Sequence, residues 1–380
     1  MAIAHMQSLK TIYGSLKNFL NSAFLGTISI DTISSTSKDN RQVYTQLAET
    51  VATEVAPLMP FSQEAKAVQK SVYTTPDIFS IILKNIYYSP EYNFLHTKNR
   101  QIIEESISTQ RNLAQFRISH FYCRKVQKIS AVCSTFRSHK NGYYHTLIDN
   151  LPRLYLLNSP GFRQLPSIKV LCGHKLTAVE SFYLQKLLPP NAHIEIVKKE
   201  RAYCVENFIF LSFLTKRFAG YLPQQYVDWF LLKTAPNRER KKRHRIFISR
   251  VPTHKGAQRC LLNEDELFES LQKRGFKKYV LDTMKIEEQI ELFYDAESVV
   301  GTHGAGLSNL IFSKNVQVLE LFPAPFVVPH YYYLSKSMNH QYNYWCGKRK
   351  YRNDNFTVDI PQILEILDDF SKKRALKTHD

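Results

Sequence analysis

The stretch V-V-G-T-H-G-A-G-L-S-N at 299–309 constrains the fold of this chain more than any other. An apolar, β-like run delivers His303 and then Gly304, Ala305 and Gly306 into a segment of helical pattern. Glycine lets a backbone approach a ligand with no Cβ in the way. A helix starting there presents amides with no intrahelical partner and the positive end of its dipole, which together attract an anion. A tight turn without any ligand fits the same letters. The ligand reading is favoured because the turn closes a buried strand, the edge where α/β sheets bind their ligands.

The surrounding pattern is regular. Strand 245–249 is followed by a loop at 250–261 and a helix over 263–274, with Asn263 as its cap and Gly275 as its stop. Strand 276–281, helix 286–295, strand 297–301, the glycine turn, a short helix and strand 316–321 complete a βαβαβ unit of Rossmann type. Upstream, β-like runs at 79–83, 129–133, 168–172, 194–197 and 207–211 alternate with helical patterns at 144–157 and 177–188. That alternation predicts an α/β layer with a mainly parallel sheet. At 380 residues the chain suits two domains, and the polar run after Pro236 reads as the linker between them. Residues 361–374 read as a final helix, and 1–65, with a Ser/Thr-rich stretch at 32–38, as a variable extension.

Composition narrows the function classes. The formal net charge is +18, and its densest run is R-E-R-K-K-R-H-R at 238–245. Such a surface attracts polyanions, from nucleic acid to anionic lipid to a nucleotide diphosphate. No zinc-finger spacing, RNP-type aromatics or basic-zipper heptads accompany it, so specific nucleic-acid binding is not expected. The cysteines at 123, 133, 172, 204, 260 and 346 form no C-x-x-C pair and read as reduced, buried thiols. No apolar run reaches the ~20 residues that span a bilayer, and the N-terminus lacks a signal-peptide core. Leu9, Ile12, Tyr13, Leu16, Phe19, Leu20 and Phe24 recur at helical spacing beside Lys10 and Lys17. That stripe suits a membrane surface or, more commonly, packing against protein.

Three further segments carry chemistry. F-I-S-R at 247–250 puts Arg250 at a strand's carboxyl end, with Lys255 and Arg259 in the following loop. Guanidinium forks fit phosphate oxygens and stabilise a diphosphate leaving group; solvated surface arginines are the plainer reading. V-L-E-L-F at 318–322 buries Glu320 in an apolar strand, either to accept hydrogen bonds from ribose hydroxyls or as a structural ion-pair partner. N-G-Y-Y-H-T-L-I-D-N-L-P-R at 141–153 puts His145 and Asp149 on one helix face, continued by Arg153. Either His145 or Asp149 can serve as a general base; a helix cap and salt bridge explain the same residues. No two aspartates lie two apart, so the D-x-D that commonly bridges a metal to a sugar-nucleotide is missing.

In order and spacing these segments resemble glycosyltransferase family 61. The pieces are N-G-Y-Y-H-T-L-I-D-N-L-P-R-L at 141–154, I-S-R at 248–250 with Arg259 and N-E at 263–264, E-E-Q-I-E-L-F-Y-D-A-E-S-V-V-G-T-H-G-A-G-L-S-N-L-I-F at 287–312, and V-L-E-L at 318–321. The resemblance covers roughly 70–325 as pattern. It implies an α/β, GT-B-like fold of two Rossmann-type lobes facing a cleft, and inverting transfer from a UDP-sugar with no essential metal and no cofactor. The organisation expected is an extension (1–65), an acceptor-side lobe (66–235), a nucleotide-sugar lobe (236–345) and a C-terminal helix and tail (346–380). Arg250, Arg259 and the amides of Gly304, Ala305 and Gly306 would hold the donor diphosphate, His303 phosphate or sugar, and Glu320 the ribose. Arg153, Asn263, Glu264 and Asn309 would support them, and Asp149 or His145 would deprotonate a glycan or lipid-linked glycan acceptor. Family members include transferases for xylose and N-acetylglucosamine, and bacterial relatives are often linked to surface polysaccharide. The expectation is therefore a cytoplasmic enzyme, peripheral to the inner face of an anionic membrane. The rival is a non-catalytic basic α/β module that binds acidic polymer or nucleic acid.

Overall fold

Each of the five upstream β-like runs is a strand in the computed structural model, which describes residues 27–32, 43–46, 52–54, 72–107, 125–136, 142–215, 220–250, 259–323, 327–347 and 354–377. The chain divides into two units, one of residues 1–49, 77–141 and 149–217, the other of 50–76, 142–148 and 218–380. The apolar stripe at 9–24, Lys255 and Cys123 lie outside the described residues. Cys133, Cys172, Cys204, Cys260 and Cys346 form no disulfide; the first, second and fourth are buried as expected, whereas Cys204 and Cys346 are only partly buried. Among the described residues no helix is long and apolar enough to cross a membrane.

The first unit holds a nine-stranded sheet that is mixed, against the mainly parallel sheet expected. Ala202–Leu211, Val126–Thr135, Ile168–Cys172 and Ala192–Ile196 pair in parallel as predicted. Phe79–Ser89 instead runs antiparallel to Ala202–Leu211 and to Phe94–His96. The cause is local. The amides of Tyr92 and Asn93 close a turn onto the Ser89 carbonyl at 3.2 and 2.8 Å, with Asn93 at φ 50. A turn that tight joins neighbours only in opposite directions. Leu83, Cys133, Leu171, Val205, Phe208 and Phe210 pack as the core of this unit.

The helix expected over 144–157 is three successive turn types: a π-helix at His145–Asn150, an α turn at Leu151–Leu154 and a 3₁₀ turn at Tyr155–Asn158. Pro152 explains the break, because it has no N–H for an α-type bond and its ring crowds the carbonyl four residues back. A π turn is a frequent mark of functional segments.

The second unit is built on five parallel strands. These are β1 (His244–Ile248), β2 (Phe276–Tyr279), β3 (Ala296–Thr302), β4 (Gln317–Pro323) and β5 (Gln341–Gly347). Their spatial order is β2-β1-β3-β4-β5. Helices α1 (Gln224–Thr234), α2 (Glu264–Gln272), α3 (Ile286–Tyr294), α4 (His330–Ser337) and α5 (Ile360–Lys377) accompany the sheet. Val299, Val300, Val318 and Leu319 are wholly buried, as near-continuous apolar strands require when both faces are covered. One face packs Phe247, Val300 and Leu319 against Leu267 and Leu271 of α2 and Ile363 and Phe370 of α5. α1, α4 and β5 carry too many aromatics for their periodicity to stand out in the sequence.

Two local expectations are corrected here. The run 236–245 is no loose linker. Arg238 pairs with Asp295 and Glu291, Arg240 donates to the Tyr294 and Phe312 carbonyls at 2.9 and 2.6 Å, and His244 already begins β1. Asn263 precedes α2, but its side chain does not cap it. It pairs instead with the backbone of Val358, accepting from the amide at 3.0 Å and donating to the carbonyl at 2.9 Å. A segment 95 residues away thus outcompetes the helix for that amide side chain.

Candidate functional site

β1 lies between β2 and β3, and the strand order changes direction between β1 and β3. That switch point is where doubly wound sheets open a crevice at the carboxyl ends of their strands. The end of β1 carries Ser249 and Arg250; the end of β3 carries His303 and the glycine turn. Two segments read separately from the sequence therefore meet. Arg250 Nη1 donates to the His303 carbonyl at 2.7 Å. The guanidinium lies across Gly304, where a Cβ would come within 2.5 Å of Nη1. Gly304 itself is extended, at φ 179, so close approach and not backbone strain calls for glycine here. At Gly306 a Cβ would meet Leu281 Cδ1 at 2.8 Å.

Ala305–Phe312 is a 3₁₀ helix. A turn bond runs from the Leu307 amide to the Gly304 carbonyl at 3.1 Å, and the amides of Ala305 and Gly306 precede it. The turn is braced from behind. Asn309 is wholly buried and donates to Gln289 Oε1 and the Gly306 carbonyl at 2.9 and 3.2 Å. It also accepts from the Tyr143 hydroxyl at 2.6 Å. Tyr331, from α4, donates to the Gly304 carbonyl at 2.7 Å. Glu264 accepts from Ser249 at 2.6 Å and pairs with Lys278 at 3.2 Å, so it holds the end of β1.

His303 is buried, and its Nδ1 lies 2.6 Å from Glu320 Oε1. The other oxygen of Glu320 accepts from the Tyr342 hydroxyl at 2.5 Å, and Glu320 itself is wholly buried. Of the two roles open to Glu320, this geometry fits the internal partner. Burial, then the charges of Arg259 and Arg250, push the His303 pKa down to about 3. Burial raises Glu320 well above the carboxylate range, against the Tyr342 hydrogen bond and Arg259. Burial and then the neighbouring charge of Arg259 lower Arg250. Two guanidiniums that repel each other beside a neutral pair make a place for an anion. Arg259 holds φ 63, in the left-handed region.

An aromatic wall runs through the same unit. The His303 ring stacks on Phe322 at 5.1 Å and lies 6.1 Å from His330 and 5.6 Å from Tyr331. Tyr144 lies 4.8 Å from His330 and 5.3 Å from His145. His145 thus shares its unit with the glycine turn, while Asp149 and Arg153 belong to the first unit. Arg153 is buried there, its Nε donating to the Leu211 carbonyl at 3.0 Å, with its guanidinium 4.8 Å from the Phe213 ring. Burial lowers its pKa to about 10. No spacing in the sequence distinguishes Tyr143, Gln289, Tyr331 and Tyr342 from other core residues. Among the described residues no group of three or more His, Cys, Asp or Glu is placed to hold a metal.

Comparison with known proteins bears out the resemblance drawn from the sequence. The model of the family Glycosyltransferase 61 matches residues 143–319, which include β1 to β3 and the glycine turn. A Beta-1,2-xylosyltransferase of Arabidopsis thaliana is 29% identical over 107 residues, covering 24% of this chain. The matched region spans 20% of that protein.

Proposed function

We propose, for a chain whose residues 143–319 carry a glycosyltransferase 61 domain, that it moves a sugar from a nucleotide-sugar to a hydroxyl acceptor. One observation carries this reading: Arg250 laid across Gly304 at the switch point of the sheet, with Arg259 close enough to depress it. Cations and amides converge there on a spot suited to a diphosphate. The non-catalytic alternative is not favoured, since the matched family is one of transferases.

The finer reading is a UDP-sugar donor and a glycan acceptor of surface polysaccharide. Arg250, Arg259, His303 and the amides of the 304–306 turn bind the donor. The acceptor oxygen attacks the anomeric carbon from the side opposite the diphosphate, forming one C–O bond as the other breaks, with inversion. The bonding electrons leave on the diphosphate, where the guanidiniums stabilise the developing charge. The acceptor's proton passes to His145 or Asp149. No metal is required, because the arginines supply the positive charge. The relative from Arabidopsis makes xylose one sugar to test.

Calorimetric titration with UDP, GDP, CMP and dTDP, each with and without a chelator, tests the donor reading. UDP is expected to bind selectively and equally in both conditions. Equal affinity for all four nucleotides would remove the donor assignment, and loss of UDP binding on chelation would remove the metal-free part.

A further inference from the structure

Behind the glycine turn lies a chain of short contacts that the transfer step does not use. The Tyr342 hydroxyl, on β5, donates to Glu320 Oε2 at 2.5 Å. Glu320 Oε1, on β4, lies 2.6 Å from Nδ1 of His303. Both carboxyl oxygens are therefore committed, and Glu320 has no exposed surface. The imidazole plane is fixed by stacking on Phe322, at 5.1 Å and 19°.

We propose that Tyr342 and Glu320 form a buried relay that keeps the ring hydrogen of His303 on Nε2, making His303 a hydrogen-bond donor to the substrate's anion and not a general base. The inference rests on the reading of this turn as the diphosphate site.

The titratable and charged groups around the ring are Glu320 and Tyr342 from the sheet, His330 and Tyr331 from α4, and Arg250 and Arg259 from the segments after β1. The two guanidiniums oppose a second positive charge on the imidazole, and burial opposes any isolated charge. His303 is thus neutral and carries one ring hydrogen. Glu320, raised by burial, keeps its proton. Tyr342 occupies Oε2 as a donor, so the carboxyl proton sits on Oε1 and is donated to Nδ1. Nδ1 must then be the acceptor, and the single ring hydrogen is left on Nε2. A general base needs a nitrogen lone pair at the reacting proton, and the relay spends that lone pair on Glu320. A donor N–H is what phosphate oxygens require.

Nitrogen-15 spectra of histidine-labelled protein read the tautomer directly, with the His303 signals identified by their loss in His303→Gln. The expected result is an acceptor-type Nδ1 and a protonated Nε2, unchanged from pH 6 to pH 8.5. A protonated Nδ1 overturns the proposal whether or not any nucleotide binds. In parallel, Glu320→Ala should weaken UDP at least tenfold, and Glu320→Gln should restore it to within about threefold of wild type. The amide can donate to Nδ1 and accept from Tyr342 as the protonated acid does. Glu320→Gln binding as weakly as Glu320→Ala would show that a carboxylate is needed and sink the relay. Failure of wild-type protein to bind UDP at all would instead count against the donor site, with the spectra still deciding the tautomer.

Discussion

Gly304→Ala should disable the anion site while leaving the fold standing. Gly304 is extended, so alanine meets no backbone strain. Its new methyl would lie 2.5 Å from Arg250 Nη1 and 3.3 Å from Cζ. The atom that must move is the far end of a flexible side chain, which is cheap for the fold. Swinging aside, Arg250 gives up its 2.7 Å bond to the His303 carbonyl and its place over the turn. The charge-assisted hydrogen bond that the displaced guanidinium can no longer give the diphosphate is worth about 1.5–3 kcal/mol net. At about 1.4 kcal/mol per tenfold, UDP affinity should fall about 10- to 100-fold. The melting temperature should drop by no more than about 5 °C. Calorimetry and thermal melts on Gly304→Ala, Arg250→Ala and the double variant supply the check. If the methyl acts only through Arg250, then in the Arg250→Ala background it adds less than about 0.5 kcal/mol. Unchanged UDP affinity in Gly304→Ala would refute the reasoning, and so would fully additive losses in the double variant.

Asp149→Asn should lower turnover by about two to four orders of magnitude with UDP affinity nearly intact, if Asp149 is the base. Measured beside it, His145→Ala identifies the alternative, and near-normal turnover in either variant removes that residue from the role. Acid should destabilise the protein. Burial, against a hydrogen bond from each ring to the backbone and with Arg100 or Arg240 adding to it, holds His96 and His340 near 4, below their ordinary range. Between roughly pH 6.5 and pH 4 the unfolded chain binds protons that the folded chain refuses, so stability falls with pH by up to about 1.4 kcal/mol per unit for each group. Denaturant melts at pH 7, 6 and 5 showing constant or rising stability toward pH 5 would contradict this. Asp295→Asn should cost about 1.5–3 kcal/mol, because that buried carboxylate accepts from Arg238 on both oxygens and from the Lys241 amide. A melting temperature within 1 °C of wild type would show the basic run to be held by other contacts.

Much of the second unit and its candidate site is written in local patterns. The apolar runs that become β1, β3 and β4, the helical spacing of α2 and α3, and the glycine turn at 304–306 depend on neighbours a few residues away. Period and turn chemistry are local properties, so a sequence shows them directly. The switch point follows from strand order, yet the sequence alone marks Arg250 and His303, since both stand at strand ends, where such sheets bind. Partner choice is another matter. Asn263 has the right type and place for a helix cap, yet it bonds Val358; Glu320 has the chemistry for ribose, yet it is closed between His303 and Tyr342. Arg153 sits a turn beyond Asp149, yet its guanidinium is sunk against Leu211 and Phe213. In each case the partner is supplied by a distant segment whose approach depends on how strands and helices pack. A polar side chain takes the partner that burial leaves it, and burial is a property of the packed tertiary structure alone.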